Sequence, residues 1–252
     1  MASLTGKVAL VTGAGQGVGQ GIAFALAEAG AAVALAGRTQ AKVEASAKTI
    51  TERGGRALAI SCDVFKPEDI TRTVQITVEA LGGLDILVNN AYDGAFGPLL
   101  SLDDEAFMRG IHSGPLASFR FMRACHPHLK ARGGGNIVNL VTSASVRWDS
   151  SNYGAYAVAK QGIRALTRAA AHEWGRDNIR VNNIAPLAAS PALAAWIKHD
   201  PEAKTFFETV ALKRVGDCEA DIGRAVVALV GAQMGYVTGA TLPLDGGQAY
   251  FG

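Results

Sequence analysis

Three side chains within SNYGAYAVAKQG, from Ser151 to Gly162, could do proton chemistry: Tyr153, Tyr156 and Lys160. A phenol loses its proton near pH ~10, so a tyrosine that acts as acid or base near neutrality needs a cation to stabilise its anion. Tyr156 stands four positions before Lys160, which on a helix puts both on one face and brings the ammonium under the ring hydroxyl. Tyr153 stands seven positions before Lys160, two turns away, and would reach it only from before the helix start. Two tyrosine–lysine pairings are therefore open.

A second stretch with chemical content lies near the N-terminus. In TGAGQGVGQGIAFALAEAG, Thr12 and Gly13 are followed by Gln16, Gly17, Val18 and Gly19, which lead into an alanine-rich segment of helical period. Glycines allow a tight turn and close backbone approach, so a diphosphate can rest on the free N–H groups at the helix N-terminus, where the macrodipole favours an anion. The second strand run ends in Gly37 and Arg38. An NAD-binding chain usually has a carboxylate there for the ribose hydroxyls, whereas a guanidinium can fork onto a ribose phosphate. NADP (NADPH) is expected, and NAD is the weaker expectation.

These residues need a frame to position them. Apolar runs recur at Lys7 to Thr12, Ala32 to Gly37, Ala57 to Cys62, Asp85 to Asn90, Asn136 to Val141, Ile179 to Ile184 and Ala240 to Asp245. Between them lie stretches of helical period: Gly17 to Ala29, Ala41 to Arg53, Pro67 to Leu81, Asp103 to Lys130 and Tyr156 to Gly175. Strand and helix in alternation predict a parallel sheet, and runs apolar throughout are buried on both faces. The expectation is an α/β Rossmann-type doubly wound sheet of about seven strands in a single domain over residues 1–252. A substrate-covering excursion is expected around 187–214, where Pro191 and Pro201 interrupt the pattern.

Composition narrows the function. A net charge of +2 with no cluster of lysine and arginine argues against nucleic acid. Cys62, Cys125 and Cys218 are three, far apart and outside any CxxC pattern, so neither a disulfide framework nor a zinc site is expected and a reducing cytoplasm fits. No run of ~18 to 20 apolar residues suggests a membrane span. His126 and His128, two apart, would point to different helix faces, so no metal is expected.

Thr12-Gly13-x3-Gly17-x-Gly19, Asn89-Asn90-Ala91, Tyr156-x3-Lys160 and the late Asp245-Gly246-Gly247 together resemble the short-chain dehydrogenase/reductase family, in family order and over essentially the whole chain. The resemblance implies a cofactor site of Thr12, Gly13, Gln16, Gly17, Val18, Gly19, Arg38, Asp63, Val64, Asn90 and Pro186, with Tyr156 and Lys160 gripping the nicotinamide ribose side. Gln16 occupies a turn position where NADP members often carry a second cation. It implies a catalytic set of Ser143, Tyr156 and Lys160, because the family serine usually lies thirteen residues before the tyrosine. Aligning instead on the strand run would put Thr142 at that point. Tyr153 fits the Tyr-x6-Lys pattern of the enoyl reductase branch, but YGAYAVAK has the small residues that surround the carbonyl-reducing tyrosine, so Tyr156 is preferred. Tyr153, Tyr92 and Trp148 are expected at the substrate mouth.

The chain departs from the family pattern in three places. The long-helix asparagine, which in the family helps hold a water linking the lysine to solvent, is replaced by Gly114, with Ser113 and His112 nearby as substitutes. NNAG has become Asn89-Asn90-Ala91-Tyr92, and Pro-Gly after the sixth strand has become Pro186-Leu187. The expected activity is NADP-dependent carbonyl reduction or alcohol oxidation of a small molecule. C=C or C=N reduction through Tyr153 and a non-catalytic dinucleotide sensor are the alternatives. The resemblance also implies a homodimer or homotetramer, with the tail TLPLDGGQAYFG suited to an interface.

Overall fold

The computed structural model describes residues 3–147, 152–199, 208, 210–249 and 251. The strands are β1 (Val8–Thr12), β2 (Ala32–Gly37), β3 (Ala57–Ser61), β4 (Ile86–Asn89), β5 (Gly135–Leu140), β6 (Ile179–Pro186) and β7 (Thr241–Leu244). They pair in parallel in the order β3-β2-β1-β4-β5-β6-β7. The expected doubly wound sheet is thus present, with strand ends within a residue or two of the apolar runs. The strand order reverses between β1 and β4, the place where an open α/β sheet leaves a crevice at its carboxyl edge.

Both faces of the sheet are dry. Along β1, Ala9 and Val11 enter a core shared with Ile22, Leu26, Val226 and Leu229. Val8 and Leu10 enter the opposite core with Ile70, Val74, Phe121, Met122 and Leu129. The helices behind these contacts are α1 (Gly17–Glu28), α2 (Gln40–Glu52), α3 (Pro67–Leu81), α4 (Asp104–Ile111), α5 (Ala117–Ala131), α6 (Gly154–Trp174), α7 (Pro191–His199) and α8 (Arg224–Val230). The single helix expected over Asp103 to Lys130 is instead α4 and α5 joined by a π-helical turn, His112–Leu116. Pro115 inside that turn has no N–H to give the ladder, and a wider turn absorbs the loss.

Where the expected excursion begins, α7 follows β6, and Ala188 bridges to Gly216. A second π-helical turn, Cys218–Gly223, then leads into α8. It crosses α1 at bare backbone: a Cβ on Gly21 would overlap the main chain of Cys218, and one on Gly223 would lie 2.6 Å from the Gly21 carbonyl.

Beneath the carboxyl edge, buried polar side chains tie the strands together in one direction. Asn89 Nδ2 donates to Asn139 Oδ1 (2.8 Å), Asn139 Nδ2 to Thr167 Oγ1 (2.8 Å), Thr167 Oγ1 to Asn183 Oδ1 (2.6 Å) and Asn183 Nδ2 to Thr241 Oγ1 (3.1 Å). Each acceptor spares a buried group the cost of lying unpaired. The chain links β4, β5, α6, β6 and β7 under the place where the reacting groups gather.

Candidate active site

A cavity of about 1120 Å³ opens along the carboxyl edge, from the glycine turn past Arg38 and Val64 to Tyr156, Lys160 and Gln248. At its first end Gly13 and Gly17 adopt φ of +65° and +59°, the left-handed region that suits glycine. Gln16 precedes α1 in extended backbone, and no side chain caps the helix. Its first amides are left for another acceptor, which suits a diphosphate. Thr12 staples the turn to β4: Asn90 and Ala91 donate their backbone N–H groups to Thr12 Oγ1 at 3.0 and 3.1 Å. Asn90 Nδ2 in turn donates to the carbonyls of Thr12 and Gly13 at 2.8 and 3.1 Å.

Cations collect at the end of β2. Arg38 Nη1 donates to Asp93 Oδ2 at 2.8 Å, and Arg109 Nη2 reaches the same oxygen at 2.7 Å. The Arg109 guanidinium, with Arg38 beside it, holds the Asp93 carboxyl below its usual range. Lys42, a residue the sequence reading passed over, extends from the first turn of α2 and donates to Gln16 Oε1 at 2.6 Å. Gln16 thus brings a second cation to the turn without being one. A carboxylate on a side chain at position 37 would be crowded, because a Cβ there would stand 2.9 Å from Val43 Cγ1. Asp63 and Val64 also line the cavity, and Asp63 Oδ1 accepts from the Phe65 N–H at 3.1 Å, closing a local turn.

At the other end α6 presents Tyr156 and Lys160 together. Lys160 is buried and donates to the Leu140 carbonyl at 2.8 Å. Its Nζ lies 5.6 Å from the centroid of the Tyr156 ring and 4.7 Å from that of Tyr92. Burial pulls the Lys160 ammonium down to about 7, while the electron-rich ring faces favour its charged form. Burial pushes the Tyr156 phenol up to about 12, and its hydrogen bond with the Thr142 side chain works against that rise. The hydroxyl is therefore held as an acid.

The two hydroxyls weighed on β5 part company here. Thr142 is the one at Tyr156, while Ser143 Oγ donates to Gln248 Oε1 at 2.7 Å. Tyr153 precedes the first residue of α6, and its ring sits 6.0 Å from that of Tyr156 and 5.6 Å from that of Phe96, forming an aromatic mouth.

A family model described as Enoyl-(Acyl carrier protein) reductase matches residues 13–249. A 12alpha-hydroxysteroid dehydrogenase from a Clostridium species is 39% identical, with 98% of each chain covered. The chain belongs to the short-chain dehydrogenase/reductase family. A peroxisomal 2,4-dienoyl-CoA reductase of Arabidopsis thaliana is 33% identical over 96% of this chain and 84% of its own. Among solved structures, a 7 alpha-hydroxysteroid dehydrogenase complexed with NADH and 7-oxo glycochenodeoxycholic acid superposes with a TM-score of 0.92 at 31% identity, covering 98% of this chain and 96% of the other. The protein is an oxidoreductase of this family, and the glycine cradle, the uncapped α1 and the Tyr156–Lys160 pair fit the nicotinamide dinucleotide that such enzymes use.

Within this short-chain dehydrogenase/reductase several sequence expectations need correction. Gly19 is not on the cavity wall: a Cβ there would run into Asn90 Nδ2 and stand 2.6 Å from the Gly13 carbonyl, so the glycine serves close helix–strand packing. Ser113 does not stand in for the missing asparagine, because its Oγ accepts from the Asp93 N–H at 3.0 Å and faces the Asp93 and Arg109 carbonyls at 2.9 Å. The space beside Gly114 is filled by the Tyr92 ring. His126 does meet a carboxylate, Asp177, at 3.0 Å, brought by the turn after α6. Among the described residues no group of three or more His, Cys, Asp and Glu is placed to hold a metal.

The tail also folds differently from an interface strand. Phe251 packs on Val141, Ile163 and Ala185 of its own chain under the Arg164 guanidinium, 5.0 Å from its ring centroid. Gln248, a residue the sequence reading missed, turns in to Ser143; its only signal was a polar side chain just after Asp245-Gly246-Gly247. Asp245 accepts from the N–H groups of Gly247, Gln248 and Ala249 to make that turn. Trp148, Phe206 and Phe207 lie outside the described residues, as does the Trp196 side chain. Among the described residues no helix is long and apolar enough to cross a membrane.

Proposed function

We propose that this short-chain dehydrogenase/reductase is NADP-dependent and interconverts a carbonyl and a secondary alcohol on a mainly apolar small molecule. The observation that carries this reading is one cavity with Arg38 and Lys42 at its ribose-phosphate end and the Thr142, Tyr156 and Lys160 group at its other end. Arg38 and Lys42 supply opposite charge to a ribose phosphate, and no acidic residue stands at the end of β2 to repel it. The NADH-bound relative is a separate chain at 31% identity; in this one the ribose-binding position itself is Gly37. The bound dinucleotide supplies the hydride.

Tyr156 donates its proton to the substrate oxygen, which its high pKa makes it ready to do. The Thr142 hydroxyl orients that oxygen in place of Ser143, and the Ser143–Gln248 pair flanks it. Lys160 favours the phenolate left behind. Tyr153, Phe96 and Tyr92 offer aromatic faces to a ring system, and the two hydroxysteroid dehydrogenases among the relatives make hydroxysteroids the first substrates to try.

The enoyl and dienoyl reductases among the comparisons support a second reading, reduction of a conjugated C=C bond through Tyr153. The purified protein, assayed against keto- and hydroxysteroids and a conjugated enoyl thioester with NADPH and NADH, decides between them. Turnover of the oxosteroid with NADPH at least tenfold above NADH is expected. Turnover of the enoyl thioester alone would reverse the choice. A homodimer or homotetramer remains our expectation, since Phe119 on α5 and Val158 on α6 expose apolar surface; light scattering would report a monomer if it is wrong.

A further inference from the structure

The most unusual packing in the molecule lies around Tyr92. Its ring fits a slot cut by three glycines. A Cβ on Gly94 would overlap the Tyr92 hydroxyl, one on Gly110 would stand 2.8 Å from it, and one on Gly114 would touch the ring at 3.4 and 3.5 Å. The hydroxyl at the slot's end is buried without a hydrogen-bond partner. The opposite face of the story is the lysine: Tyr92 meets the Tyr156 ring edge-on at 5.0 Å and has the Lys160 ammonium 4.7 Å from its centroid.

The slot is registered by its neighbours. Ser113, beside Gly114, is bonded to the backbone of Asp93, beside Tyr92, and the Asp93 carboxylate is clamped by Arg38 and Arg109. Tyr92 and Gly114 are therefore held opposite each other from two directions. Around Lys160 the titratable and charged groups are Tyr156 on its own helix, Tyr153 at that helix's start, and Tyr92 and Asp93 with its two arginines from the β4 side. No carboxylate pairs with the ammonium, whose pKa is moved by burial alone.

We propose that Tyr92 takes the place and the task that the resemblance assigns to an asparagine on the long helix: its ring face, instead of a side-chain amide and its water, steadies the Lys160 ammonium beneath Tyr156. Tyr92 is then a positioning residue that acts through Lys160. The proposal rests on the dehydrogenase reading for its kinetic consequence, but the mutual exclusion of a Tyr92 ring and a side chain at 114 does not. The ring and not the hydroxyl does this work, since a buried hydroxyl without a partner costs stability and gives nothing in return. A desolvated cation over an aromatic face gains enough to move a titration by about one pH unit.

The test uses Tyr92→Phe, Tyr92→Leu, Gly114→Asn and the double variant Tyr92→Gly/Gly114→Asn in the full chain. Tyr92→Phe keeps the parent's pH profile for alcohol oxidation. Tyr92→Leu fills the slot without a π face, so the rise of kcat/KM with pH moves upward by about one unit as Tyr156 becomes harder to ionise. Gly114→Asn alone lowers the melting temperature and kcat/KM at least tenfold, and the double variant recovers most of both.

Equal damage from Gly114→Asn with and without the Tyr92 ring, an unmoved profile in Tyr92→Leu, or the same loss in Tyr92→Phe as in Tyr92→Leu would each overturn the proposal. A parent enzyme silent toward every carbonyl and alcohol would instead count against the dehydrogenase reading. The melting-temperature cycle would then still decide whether ring and amide exclude each other.

Discussion

At the glycine turn, position is set by what is missing; at the tyrosine–lysine end it is set by what side chains meet. Gly13 and Gly17 supply a backbone path, Gly19 lets Asn90 close against α1, and the uncapped helix leaves its amides to a ligand. At the far end Thr142, Tyr156, Lys160, Tyr92 and Gln248 come from β5, α6, the loop after β4 and the turn after β7. The first region is local, built within a few residues of one strand and helix. The second is assembled over the whole sheet, so it tolerates replacement of one part by another from elsewhere, as Gly114 and Tyr92 illustrate.

That contrast can be broken or sharpened by mutation. Tyr156→Phe should lower kcat by about 10² to 10⁴-fold, the usual worth of a positioned acid–base group, while NADPH binding followed by fluorescence stays within about threefold. Retention of most of the activity would dissolve the catalytic end as drawn. Arg38→Ala should raise the NADPH dissociation constant about ten- to a hundredfold, the scale of a charge-assisted contact, and leave NADH unchanged; equal losses for both cofactors would remove the phosphate reading.

Gly19→Ala should cost about 1 to 3 kcal/mol by calorimetry, because the neighbours it meets include a backbone carbonyl that cannot turn aside. A neutral result would mean that the turn is not built by absence.

The pH dependence of stability separates the ends in another way. Lys160 titrates near 7 in the folded protein and near its ordinary value of 10.5 when unfolded. Between those values the unfolded chain binds more protons, so burying this lysine penalises folding fully below pH ~7 and the penalty is relieved as pH rises. Unfolding free energy should therefore climb from pH ~7 to ~9 by at most about 1.4 kcal/mol per unit, and Lys160→Met should flatten that slope in urea titrations. Above pH ~10 the raised Tyr156 pulls the other way, since the folded state then binds the extra proton. The smallest effect belongs to Tyr153→Phe, expected to change carbonyl turnover less than about threefold because that hydroxyl stands outside the acid–base chain; a larger loss there than at Tyr156 would favour the enoyl reading.

What could be read from sequence divides along the same line. The strands and the turn were legible because apolar runs and glycines act over short range. Tyr156 and Lys160 were legible because one helix fixes their spacing. Thr142 against Ser143 was not, since counting back from Tyr156 passes through a loop whose length no periodicity reports. Lys42, Gln248 and the Tyr92–Gly114 contact were hidden because each depends on two segments meeting across the fold.

The bare crossing of α1 with Cys218–Gly223 gives the molecule a mechanical property. With no side chain between Gly21 and the opposing backbone, the phosphate-binding helix and the final layer cannot slide past each other. Occupancy of the turn will therefore be felt at a distance: amides of α8, which touch no ligand, should exchange with deuterium more slowly once nucleotide is bound, as one cooperative block.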